Sequence, residues 1–178
     1  MKIPFSFLLL LCAFATSVWG QKNKKTDSAP LLYHFEEGLK NVEINIDFPF
    51  PFTTQTQDGK QGTIYYVSAE DSARKTTYIL NYTRHNTPLG RIEPLSLAET
   101  VFETFLIASE SEILKKKTIQ WNEIPAIQAS TANKQKGMMY DYETFMYGNI
   151  QIQMMIARPY TSKPQEKHLA FFRSLTIK

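Results

Sequence analysis

From residue 150 the side chains alternate with a period of two. Ile150, Ile152, Met154 and Ile156 fall on one side, and Gln151, Gln153, Met155 and Ala157 on the other. A helix does not sustain that period, so the segment reads as a strand with a core face and a mostly polar face. The pattern recurs and sets the fold class. Val42, Ile44, Ile46 and Phe48 alternate with Glu43, Asn45 and Asp47. The prolines of Phe48-Pro49-Phe50-Pro51-Phe52 then break the ladder, because proline has no N–H to donate. Further strands are expected over residues 52–57, 63–68, 75–84, 115–121, 126–132 and 138–146. In the last of these Met138, Tyr140, Tyr142, Thr144 and Met146 share a face. Turns are expected at Asp58-Gly59, at residues 69–74, at Asn122-Glu123-Ile124-Pro125 and at Gly148-Asn149.

Two stretches carry the helical period instead. Ser96-Leu97-Ala98-Glu99 has the spacing of a capping box, and Ala98, Val101, Phe102, Phe105 and Leu106 follow at helical intervals. A helix over residues 97–111 is expected, its aromatic stripe docked on a sheet. Ser162-Lys163-Pro164-Gln165 opens a second helix with serine as cap, and Leu169 and Phe172 supply its apolar face. Residues 174–177 end as a short strand. The order implies an α+β fold: an antiparallel sheet of about six to eight strands with a central helix and a C-terminal helix packed on it. The alternation further suggests that the helices cover one side only.

The N-terminus has a different character. Lys2 precedes an apolar run from Phe5 to Ala15, and Val18 and Gly20 offer small side chains to a signal peptidase. Residues 1–20 therefore read as a signal peptide cut after Gly20, and residues 21–30 as a flexible leader. Residues 31–178 form a single α+β domain. The apolar run is shorter than the roughly 20 residues a membrane span needs, so no integral membrane segment is expected after cleavage. The expected location is periplasmic or extracellular. The only cysteine, Cys12, lies in the apolar run and follows Leu11, where a lipoprotein signal has a small residue. The exported chain then has no disulfide, thiol nucleophile, zinc thiolate or iron–sulfur ligand. The formal charge of +3 falls by one with Lys2, too little to draw the chain to nucleic acid. Lys22, Lys24 and Lys25, and Lys115 to Lys117, are read as solvated surface.

The second half carries a resemblance. Trp121-Asn122-Glu123-Ile124-Pro125-Ala126 between strands, Tyr140 to Asn149, and a helix ending Phe171-Phe172-Arg173-Ser174-Leu175 resemble PsbP-like domains of bacteria. These are similar to extrinsic proteins of the photosynthetic oxygen-evolving complex. With the Phe-Pro segment near residues 48–52, the likeness spans residues 41–178. It implies an antiparallel sheet flanked by helices and a non-catalytic accessory or binding role. It carries over no ligand residue and does not imply photosynthesis.

The titratable residues form no recognisable catalytic or metal-binding constellation. His34, His85 and His168 have no metal-ligand spacing and read as isolated surface histidines. No serine sits in a nucleophile elbow, and no glycine-rich phosphate loop occurs. Asn81-Tyr82-Thr83 fits a glycosylation sequon inside an expected strand. Asp141 and Glu143 lie two apart on one strand and share a face with Met139, Phe145 and Tyr147. Asp141, Glu143, Phe145 and Tyr147 are therefore the candidate ligand-binding surface. The same face reads equally as an acid/base pair acting on sugars or as the outward side of a strand. No catalytic residue, cofactor or metal ligand is assigned. The expected function is a secreted or periplasmic non-enzymatic binding or accessory domain, its partner an unknown envelope protein or small ligand. The alternatives are a carrier of an apolar ligand, lined by the Phe102/Phe105 helix, or a carbohydrate-active hydrolase.

Overall fold

Alternating apolar residues build most of the molecule into strands. The computed structural model describes residues 32–39, 42–60, 62–86 and 93–178; the expected signal peptide and leader lie outside them. Among the described residues the order is β1 (Tyr33–Leu39), β2 (Val42–Phe48), β3 (Phe52–Gly59), β4 (Gly62–Asp71), β5 (Thr76–His85) and α1 (Pro94–Ser109). Then follow β6 (Glu112–Trp121), β7 (Ile124–Asn133), β8 (Met138–Tyr147), β9 (Ile150–Pro159), α2 (Glu166–Ser174) and β10 (Thr176–Ile177). The fold is α+β. A seven-stranded sheet has the order β3-β4-β5-β9-β8-β7-β6, and a three-stranded sheet has the order β1-β2-β10, with antiparallel pairing throughout.

The two helices lie on opposite faces of the large sheet. On one face Tyr78, Leu80, Ile152, Met154, Ile156 and Phe145 pack against Ile44, Ile46 and Phe48 of β2 and Phe171 of α2. On the other, α1 sits over β7 and β8. Ala98 and Ala129 let the backbones approach there, while Phe102 and Phe105 pack on Tyr142. The expectation that helices cover one side only is corrected by this arrangement. β9 lies between β5 and β8, with core on both faces, so Gln151, Met155 and Ala157 are buried along with the isoleucines.

Several element boundaries move for identifiable reasons. α1 begins at Pro94, not near Leu97, and its cap is Glu93, whose carboxylate accepts from the Ser96 N–H at 3.1 Å. Proline fits the first helical position because the N–H it lacks has no helical acceptor there. α2 begins at Glu166 with Gln165 as its cap residue; Ser162 instead donates to the Pro159 carbonyl. Its buried face is His168 and Phe171, whereas Leu169 is exposed. The β6–β7 turn needs only Asn122 and Glu123, since both adopt positive φ, the hand that matches strand twist. Residues 69–71 continue β4, with Ala69 in the core and Asp71 buried. β1 adds a strand that the alternation did not mark.

Candidate functional site

The four residues singled out on β8 do share a face, but each is already engaged. Asp141 accepts from Ser130 Oγ at 2.8 Å and from Arg158 Nε at 2.9 Å. Glu143 is 6% exposed and accepts from the Gln128 side-chain amide. Burial pushes its carboxyl above the ordinary value, against the opposing pull of Gln128 and Lys117. Phe145 is wholly buried and stacks on Trp121 at 4.4 Å. Tyr147 packs half-buried against the same core. The strand brings these side chains to one face and commits them to packing and internal hydrogen bonds.

Asp141 nevertheless leads to a second place. Its partner Arg158 is 1% exposed and reaches past the end of β9 to the carbonyl and hydroxyl of Ser162. A buried guanidinium is tolerated when it is paired and hydrogen-bonded, and here it pins the loop between β9 and α2. That loop, the start of β5 and the first turn of α2 border an open, cleft-like cavity of about 380 Å³. Arg74, Thr76, Ser162, Lys163, Gln165 and His168 are among the residues that line it.

The turn between β4 and β5 supplies one wall. Asp71 accepts from the Arg74 N–H and guanidinium and, at 2.6 Å, from Lys167 Nζ of α2. Burial alone would raise the Asp71 carboxyl; the Lys167 hydrogen bond and charge, helped by Arg74, outweigh it and hold the group below its ordinary value. Lys167 also lies over the Phe50 ring at 4.5 Å. The β4–β5 turn and α2 are thereby tied across the core.

His168 is the least expected member. It is 4% exposed, not the surface histidine that its sequence context suggested. Its ring stands edge-on to Tyr78 at 5.8 Å, and its Nδ1 accepts from the Gln165 N–H at 3.3 Å. Burial, reinforced by the charge of Arg158, holds the imidazole below its ordinary pKa and therefore neutral. With Nδ1 accepting, the proton of the neutral ring belongs on Nε2. Nε2 is buried and has no partner among the described residues, and the same holds for the Tyr78 hydroxyl. An unpaired buried donor costs roughly 1–3 kcal/mol, and neither of these two atoms is open to solvent.

The other two histidines differ. His34 is exposed and bonds Asp47 at 2.8 Å, while His85, partly buried, closes the far end of β5. Asn81 of the sequon lies within β5, its side-chain oxygen buried. Among the described residues no three His, Cys, Asp or Glu gather to hold a metal, and no helix is long and apolar enough to cross a membrane. Sequence reasoning missed the cavity because its lining comes from three distant segments. The available signal was the helical spacing of His168 and Phe171, which puts the histidine on the core face of α2.

No family model matches the chain, and neither a curated protein nor a solved structure matches it.

Proposed function

We propose that the chain is an exported, non-enzymatic binding domain that takes a small ligand in the cavity between the β4–β5 turn and the β9–α2 loop. The observation that carries this reading is the cleft itself, which brings Arg74, Ser162, Lys163, Gln165 and the buried His168 together from three segments of the chain. The volume of about 380 Å³ lies in the range of roughly 300–1,000 Å³ usual for small-molecule pockets. Asp141 and Glu143 support the non-enzymatic side, because each carboxylate already serves a structural partner. The signal-like residues 1–20 support export, and the PsbP-like resemblance supports an accessory role.

Two experiments test this reading. Expression of the full chain in a host with a secretory pathway, followed by N-terminal sequencing, is expected to give a protein beginning at Gln21. A mature protein that still carries residues 1–20 contradicts export by cleavage. Native mass spectrometry of protein recovered from the envelope is expected to show a bound small molecule that Thr161→Trp, an exposed cavity-lining position, displaces. Equal ligand in both proteins, or none in either, contradicts the binding reading.

A further inference from the structure

We infer that the chain has a second ligand site, a cleft between β1 of the small sheet and β3, β4 and β5 of the large one, and that this cleft takes an organic ammonium group. It has a volume of about 230 Å³ and shares no lining residue with the cavity beside His168. Glu37 gives it its charge. Side chains two apart on a strand share a face, and Tyr33 and Phe35 of β1 pack in the core, so Glu37 also points at the large sheet. It lines the cleft half-buried and makes no ion pair or side-chain hydrogen bond among the described residues. No lysine, arginine or histidine is among the described lining residues. A carboxylate drawn part-way out of water loses hydration, and a bound cation supplies the partner that no side chain here provides.

Tyr82 is the second, independent observation. It lines the same cleft and is only 1% exposed, with Tyr65 stacked on its ring at 4.6 Å and Phe35 at 6.4 Å. Its hydroxyl has no hydrogen-bond partner among the described residues and, unlike the hydroxyl of Tyr78, is not closed to solvent. With the ring covered, the hydroxyl is what Tyr82 presents to the cleft. Burial, and after it the charge of Glu37, hold the phenol well above its ordinary pKa, so it stays protonated beside that carboxylate. An organic ammonium donates to the Glu37 carboxylate and to the Tyr82 oxygen, while its carbon chain meets the rings of Phe35 and Tyr65. A neutral hydroxyl compound leaves the carboxylate charge unmatched, and an anion is repelled by it. A metal ion finds only one carboxylate. The volume lies below the roughly 300 Å³ at which pockets for larger small molecules begin, and suits a cation of a few heavy atoms.

The test is calorimetric titration of the full chain at fixed ionic strength and neutral pH with ethanolamine, glycerophosphoethanolamine and 1-propanol, the neutral counterpart of ethanolamine. The expected result is one ammonium site per chain, with at least one of the two amines binding about tenfold or more above 1-propanol, the factor that 1.4 kcal/mol gives. The tighter of the two amines identifies the source as a free amine or a lipid headgroup. Glu37→Gln is expected to weaken binding about tenfold or more, and Tyr82→Phe about threefold or more, as loss of a charge-assisted and of a neutral hydrogen bond does. Glu37→Gln keeps the size of the side chain, and Tyr82→Phe removes a hydroxyl that has no partner, so both leave the packing of the fold in place. Thr161→Trp, in the cavity beside His168, is expected to leave ammonium binding unchanged. Equal binding of 1-propanol and the amines, no amine binding, or binding indifferent to Glu37→Gln or to Tyr82→Phe overturns the inference. Loss of ammonium binding in Thr161→Trp also overturns it, because the amine then sits in the other cavity.

Discussion

Arg158 is the largest fully buried side chain among the described residues, and its neighbours define what it does. Asp141 is the carboxylate that neutralises it, and Ser162 takes the rest of the guanidinium. Removing Asp141 leaves an uncompensated charge in the interior, so Asp141→Ala is expected to cost roughly 3 kcal/mol in a urea melt, toward the lower end for a buried pair because Asp141 is part-exposed. Arg158→Met is expected to cost less, and Asp141→Ala with Arg158→Met less than Asp141→Ala alone, since the double change leaves no orphaned charge. A double variant no more stable than Asp141→Ala contradicts this account of the pair. Glu143 makes the opposite case. Its folded pKa is raised, so the contribution it makes to stability is present below the unfolded value near 4.3 and is lost as pH rises through the folded value. Glu143→Gln keeps a side-chain partner for Gln128 without the charge. It is expected to raise Tm at pH 7 by about 2–4 °C, the shift that roughly 1 kcal/mol gives in a domain of this size, with the gap closing as pH falls toward 4. A gap that widens on acidification contradicts the buried-carboxylate reading.

At the scale of elements, the turns carry the conformational cost. Asn122 and Glu123 sit at φ of 44° and 70°. Asparagine tolerates that region, whereas glutamate does so with strain. Glu123→Gly, at an exposed position, is expected to stabilise the hairpin by about 0.5–1 kcal/mol, read as a higher midpoint in chemical denaturation. An unchanged or lower midpoint contradicts the turn assignment. The strands were legible in the sequence where one face is core, as in Val42 to Phe48 and Tyr78 to Tyr82, because burial enforces the period. The helix starts were less so. Ser96 and Ser162 have good capping chemistry, but Pro94 with Glu93, and Arg158 holding Ser162, redirect both ends. The edge strand β6 explains the lysine run: Lys115, Lys116 and Lys117 lie on an outer strand, where charge discourages pairing with another sheet. Lys116 adds an ion pair with Glu99 and lies over the Phe102 ring.

At the scale of the whole molecule, one large sheet is covered by α1 on one face and by α2 with the small sheet on the other. This staggering buries both faces of β9, and it explains why Gln151 and Gln153 did not mark a solvent face. The loop between β9 and α2, which packs on β2, borders the cavity. Asp141 was visible in the sequence as a candidate; its link to Ser162 through Arg158 was not, since i, i+17 and i+21 relations arise only from strand pairing. The three histidines lie at three separate places: His34 on β1, His85 at the far end of β5 and His168 in the cavity wall. They therefore report independently on where a ligand binds. In a full chain with nitrogen-labelled histidine rings, addition of the small molecule recovered with the protein, followed by NMR, is expected to move the His168 ring signals and to leave His34 and His85 in place. A His168 signal that stays still while that molecule binds, or three rings that shift alike, contradicts the assignment of this cavity as the ligand site.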